Sequence, residues 1–256
     1  MTTVGAAIIC AVSEAPAPMT ESQAREEICR VGRSLFARGY VHATAGNISV
    51  QLDAAQGGGF LITPTDACMG FLDPARLARL DGKGQHISGD RGSKTMALHR
   101  RIYEATGGTA APAGCIIHTH STHCVALTLA RDSDSALQQG EGGRELLPAL
   151  TPYFVMKVGH VPVINYRRPG DPQAAEAVAQ TIARYHAANK PIRAVMLERL
   201  GPNVWHDSPA AAMATLEELE ETARLWHMMK CGLQGQPEPL AADAINELRA
   251  AFGAHW

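Results

Sequence analysis

Apolar positions along this chain recur with two periods. Ile28, Val31, Leu35 and Phe36 return at helical spacing behind a Thr20/Gln23 capping box, and Gly39 supplies a stop. From about Asn47 the pattern alternates as in a strand. Gly57–Gly59 make a turn, and Phe60–Thr63 return as a second strand. Leu72–Leu80 read as a helical turn leading into a strand, and Asp81-Gly-Lys-Gly as a hairpin turn. Ser93 is the predicted N-cap of a helix reaching about Glu104, with Met96, Leu98, Ile102 and Tyr103 on its apolar face. The run from Cys115 to Ile117 predicts a buried strand, and it ends abruptly in histidines. Phe154–Val158 and Val161–Tyr166 read as strands, Gln173–Ala188 as an alanine-rich helix, and Ala194–Leu197 and the segment from Gly201 as strands. Ser208 followed by Pro209 opens the longest helix, expected also to be the most amphipathic, through Leu216, Leu219, Ala223, Leu225, Trp226 and Met229. Residues 131–150 form the longest expected loop, a lid or a partner surface. Strands and helices interleave without a break or repeat. The expectation is a single α/β or α+β domain over residues 20–256 behind a flexible N-terminal extension, residues 1–19.

Composition narrows the function. Apolar residues make up 46% and charged ones 19%, enough for a sizeable core. The net charge of −2 is dispersed, with no basic stripe and few aromatic residues, which argues against a nucleic-acid surface. Val4–Val12 is apolar but short and has no positive residue before it, so neither a signal peptide nor a membrane span is expected. The six cysteines lack any C-x-x-C pair, and Cys29, Cys115 and Cys124 sit in apolar runs as small core residues; a reduced, cytoplasmic protein is the simpler reading.

The candidate chemistry lies in His118-Thr-His120. Alternate residues of a strand face the same way, so the two imidazoles can fill two corners of a metal's shell. By spacing alone they are equally well two ordinary histidines at a strand end.

An ordered set of motifs decides more. Ala45-Gly-Asn-Ile-Ser, Leu61-Ile-Thr-Pro-Thr-Asp, His118-Thr-His-Ser-Thr-His, Thr151-Pro-Tyr-Phe-Val-Met-Lys-Val-Gly-His, Arg168-Pro-Gly-Asp-Pro and Leu216-Glu-Glu-Leu-Glu-Glu-Thr-Ala occur in this sequence. Over about residues 20–232 the chain resembles the class II aldolase/adducin family, closest to its branch of sugar-acid-phosphate (3-oxo-tetronate 4-phosphate) decarboxylases. The resemblance implies a three-layer α/β/α domain with a largely antiparallel central sheet, a homotetramer with sites near subunit contacts, and a small phosphorylated or carboxylated substrate. It also implies a divalent ion, zinc first and manganese or iron as alternatives, that stabilises the enediolate left by aldol cleavage or decarboxylation. His118 and His120 match metal histidines; Asn47, Thr65 and Ser93, with Lys94 adding charge, match the residues that hold the phosphate, helped by the free N–H groups of a helix start.

Two positions depart from the pattern. Thr95 stands where the aldolases carry a glutamate that serves as ligand and base, and Leu200 where they carry a third metal histidine. Neither side chain can do that work. His99, His123, His160 or Glu198 could complete the shell, substrate could supply the missing ligands, or the chain could be a non-catalytic binding or scaffold protein. His99 on its helix reads more readily as a packing residue, His123 as a group orienting a ligand, His160 as facing substrate or solvent, and Glu198 as pairing with Arg199 or a subunit neighbour.

Overall fold

The computed structural model describes residues 19–129, 138–140, 143–232 and 237–256. Helix α1, Glu21–Ala37, starts where the sequence predicts. The Gln23 N–H donates to Thr20 Oγ1 and the Thr20 N–H to Gln23 Oε1, and Ala24, Ile28, Val31 and Leu35 form the buried face. Gly39, at φ 75°, turns the chain away from the helix end.

Eight strands make the main sheet. They are β1 (Asn47–Gln51), β2 (Phe60–Ile62), β3 (Ala78–Leu80), β4 (His86–Ser88), β5 (Cys115–His118), β8 (Val163–Ile164), β9 (Ala194–Leu197) and β10 (Gly201–His206). Their order is β4-β3-β2-β1-β5-β10-β9-β8, and β8–β9 is its one parallel pair. A separate ribbon pairs β6 (Gln138–Gly140) with β7 (Gly143–Glu145).

Alternation along the strands divides the core into two layers. Ile48, Val50, Cys115, Ile117, Met196 and Val204 face α1, α3 (Thr122–Leu127), α4 (Pro152–Lys157) and α6 (Pro209–Gly232). Ile116, Val195, Leu197 and Trp205 face α2 (Met96–Thr106) and α5 (Pro172–Ala187). The three layers and the largely antiparallel sheet are those of the sequence expectation.

Several local readings change. Phe154–Val158 is not a strand: Thr151 accepts the Phe154 N–H, Pro152 occupies the first turn, and the apolar run winds into α4. Five apolar residues carry no period that separates the two forms, and the cap decides. Val161–Tyr166 pairs as a strand only over Val163–Ile164. Helix α2 starts later than the predicted Ser93, with Thr95 as its N-cap. Helix α6 is the longest, at 24 residues, yet less amphipathic than α1, because α1, α3, α4 and the sheet all pack around it. Residues 1–18 of the predicted extension, with Cys10 among them, and residues 131–137, 141 and 142 of the predicted long loop lie outside the described residues. Cys29, Cys115 and Cys124 are buried and free, as expected of core cysteines. Among the described residues no helix is long and apolar enough to cross a membrane.

The last helix, α7 (Ala242–Phe252), packs on α4, and the chain beyond it stacks Trp256 on His160 with ring centres 4.5 Å apart. Behind that ring, Glu145 takes hydrogen bonds from His160 Nδ1 (2.8 Å) and the Tyr185 hydroxyl (2.6 Å).

Candidate active-site cleft

Three neighbouring strands put a polar row on the α2/α5 face. Asn47 of β1 and Asn203 of β10 both pair with His118 of β5, and all three are buried. The His118 Nδ1 lies 3.0 Å from the Pro202 carbonyl, which can only accept, so Nδ1 carries the proton and Nε2 keeps its lone pair. His120 follows just past the strand end, with ring centres 5.1 Å apart and planes inclined at 66°. Burial, then His120 nearby, pushes His118 down to about 4; burial, then His42, lowers His120 as well.

Across from this row, two loops are laced together. Thr65 N–H donates to the Arg91 carbonyl, and Ser93 N–H to the Thr63 carbonyl. Ser93 Oγ and Asn47 Nδ2 both donate to Thr95 Oγ1, at 3.3 and 3.2 Å. Helix α2 begins there, its Met96 N–H donating to the Ser93 carbonyl and its Leu98 and His99 N–H groups to the Thr95 carbonyl.

The resulting cleft holds about 730 Å³. It is lined by Asn47, Thr65, Ser93, Lys94, Thr95, His118, His120 and Leu200, so the structure gathers the sequence candidates and both departures into one place. Arg100, Arg101 and Arg168 also line it, and the sequence reading gave them no role. Arg101 is committed to Glu104 and Glu176, and Arg100 to the Lys83 carbonyl and Glu104. Among the described residues Lys94 and Arg168 have no ion pair. Arg168 had a signal, the Arg168-Pro-Gly-Asp-Pro loop, but not one that says which way its side chain points.

The other four candidate ligands do not line the cleft. His99 lies beneath it, with Nδ1 2.7 Å from Ser49 Oγ and a buried Nε2 that has no partner among the described residues. Burial, and His118 to a lesser degree, pushes it to about 3. His123 is bound to Glu220 at 2.8 Å, and His160 to Glu145. Glu198 accepts the Tyr166 N–H at 2.7 Å and Arg144 at 3.2 Å, not Arg199, and so is turned toward the sheet edge. Leu200 follows Arg199, whose φ is 64°, and packs against the α2/α5 core. Among the described residues, no three His, Cys, Asp or Glu side chains converge as a metal-ligand set.

The donors present nonetheless suit a cation. Two tetrahedral metal-bound imidazoles, with metal–nitrogen bonds of about 2.1 Å, have ring centres roughly 5 Å apart. The His118–His120 pair already stands at that spacing, and the His118 tautomer is set by a backbone carbonyl.

These neutral imidazoles make the metal-free protein acid-sensitive. His99, His118 and His120 have folded pKa values below the ordinary 6.5, so below that pH the unfolded chain binds more protons than the folded one. Their contribution is fully present above pH 6.5 and is lost as the pH falls through about 4. Urea unfolding of chelator-treated protein should show the midpoint dropping across this window; a flat midpoint would contradict the assignment.

The Class II Aldolase and Adducin N-terminal domain model matches residues 26–227. The chain belongs to the class II aldolase/adducin family. A 3-oxo-tetronate 4-phosphate decarboxylase of Cupriavidus necator is 50% identical over 93% of this chain and 99% of its own length. One of Escherichia coli is 38% identical, over 90% and 97%. The crystal structure of YgbL from Klebsiella pneumoniae is 37% identical, with a TM-score of 0.73 over 90% of this chain and all of that one. An L-fuculose 1-phosphate aldolase, 22% identical at TM-score 0.71 over 92% and 98%, shares the fold. Family membership therefore stands on a match spanning the helices and strands that build the cleft.

Proposed function

We propose that this chain is a divalent-metal-dependent carbon–carbon lyase that decarboxylates a small phosphorylated 3-oxo sugar acid. The observation that carries this reading is the gathering of His118, His120 and a row of anion-binding groups in one cleft of a chain 50% identical to a 3-oxo-tetronate 4-phosphate decarboxylase. Lys94 and Arg168 supply positive charge for the phosphate; Asn47, Thr65 and Ser93 supply hydrogen bonds. His118 and His120 are the residues that would hold the metal through their ring nitrogens. A bound divalent ion supplies Lewis acidity where negative charge develops on a substrate oxygen. The homotetramer implied by the family belongs to this reading.

Thr95 favours decarboxylation over aldol cleavage. An aldol cleavage begins with removal of a hydroxyl proton, which needs a base, and threonine is none near neutral pH. In a 3-oxo acid the electron pair of the breaking carbon–carbon bond flows into the adjacent ketone as carbon dioxide leaves, with no base required. The Asn47–Thr95–Ser93 hydrogen bonds fix the polar floor without offering a proton acceptor of that strength.

The test is carbon dioxide release from 3-oxo-tetronate 4-phosphate by the metal-loaded protein, with L-fuculose 1-phosphate as the aldol comparison. Turnover of the first is expected. Turnover of neither would favour the non-catalytic reading, which the lack of a converging three-ligand set among the described residues also motivates. Lys94→Met, removing one charge from the anion end, should raise KM about tenfold, the weight of about 1.4 kcal/mol, with a smaller change in kcat. An unchanged KM would move the phosphate elsewhere.

A further inference from the structure

We propose that the apolar wall formed by Leu98, Leu197 and Leu200 receives the substrate carboxylate and promotes its loss as carbon dioxide. This rests on the decarboxylase reading of the cleft. All three side chains line the cleft. Leu197 belongs to the α2/α5 core, and Leu98 and Leu200 pack against that core, so the wall is continuous with it. Sheet order sets the wall apart from the polar groups. Strand β1, which carries Asn47, adjoins one edge of β5; β10 adjoins the other, and Leu197 ends β9 beyond it. Depth separates it from the cations as well, since Lys94 and Arg168 are exposed and Leu197 is buried. A short sugar acid whose phosphate is held by Lys94, Thr65 and Ser93 thus presents its other end across His118 to this wall.

The backbone behind the wall has its donors occupied. Glu198 N–H donates to the Ile164 carbonyl, Arg199 N–H to Thr128 Oγ1 and Leu200 N–H to the Leu197 carbonyl, each at 3.0 Å. The Leu98 N–H is taken by the Thr95 carbonyl. An anion set against hydrocarbon with no donor is destabilised. In a 3-oxo acid that penalty falls mainly on the reactant. As the bond between the carboxyl carbon and its neighbour breaks, carbon dioxide leaves as a neutral molecule. The electron pair moves onto the ketone oxygen, and the neighbouring carbon then takes a proton from water. Charge drains from the wall as the barrier is approached, so the wall raises the reactant more than the transition state and lowers the barrier between them.

The test uses the metal-loaded full chain. Leu200→Asn places a hydrogen-bond donor in the wall. With 3-oxo-tetronate 4-phosphate its kcat should fall at least tenfold while KM stays unchanged or drops, the signature of relieved reactant strain. Leu200→Met, apolar and of similar volume, should recover most of that loss. Leu98→Gln probes the wall from α2 and should move both constants in the same directions as Leu200→Asn; thermal unfolding confirms that each variant folds. Calorimetry reads the wall without turnover. Erythronate 4-phosphate has a hydroxyl in place of the ketone and cannot lose carbon dioxide, and in erythritol 4-phosphate an alcohol replaces the carboxylate. The affinity ratio of the first to the second should rise at least tenfold in Leu200→Asn and Leu98→Gln. Wild-type turnover with kcat and this ratio unchanged in both variants would overturn the carboxylate site alone. No carbon dioxide from the wild type would overturn the decarboxylase reading, and this site with it.

Discussion

Replacing His118 and His120 together by alanine should strip the protein of divalent metal and lower carbon dioxide release at least about a thousandfold, the weight of the several kcal/mol that Lewis-acid stabilisation contributes. The two rings are spaced for one ion, and His118 is aimed by the Pro202 carbonyl. Because His118 is buried, its loss also leaves a void, and thermal unfolding of the variant must accompany the assay so that misfolding is not mistaken for lost chemistry. Elemental analysis is the decisive measurement. Metal content equal to that of the wild type would remove these residues from the metal site.

Gly201→Ala should be nearly as damaging, though Gly201 touches no substrate. Its φ is 139°, and a Cβ there would sit 1.9 Å from the Thr119 carbonyl oxygen and 3.2 Å from His120 Cα. Both obstacles are backbone, so neither can swing aside. Conformational strain of about 1–3 kcal/mol adds to overpacking of similar size, roughly 3 kcal/mol in all. In a chain of this length that corresponds to a fall in Tm of about 6–12 °C. The displaced segment carries His120, so metal affinity should fall with stability. A Tm within 2 °C of wild type would show that the turn accommodates a side chain, and that its close packing is not what positions the histidines.

Much of this arrangement was legible in the chain itself. The Thr20–Gln23 box, the Gly57–Gly59 turn, the Asp81 hairpin and the Ser208-Pro209 helix start are local devices, and local devices can be read locally. His118 and His120 were legible because a strand period places them side by side. Asn47, Thr65, Ser93 and Lys94 entered only through their likeness to a family, and the structure shows them on one rim because loops around residues 63–65 and 91–93 are hydrogen-bonded to each other. What could not be read depends on distant partners. Asn203 joins the polar row through strand pairing, and the fate of His99, His123 and His160 was set by Ser49, Glu220 and Glu145, none of them near in sequence. Phe154–Val158 failed for the opposite reason: the deciding signal, Thr151-Pro152, was adjacent and outweighed by an apolar run.

The sheet order has a consequence for how the protein is made. The carbonyl that orients His118 belongs to Pro202, 84 residues further along the chain, and β5 has β10 as one of its two neighbours. Closing so long a loop is entropically costly, and pairings of this kind form slowly. A chain emerging from the ribosome can pair β1 with β2 and β5 early, but His118 stays unoriented until β10 arrives. Premature capture of metal by the nascent His118-Thr-His120 segment would therefore meet two mobile imidazoles. The oriented His118 ring is among the last things this molecule acquires.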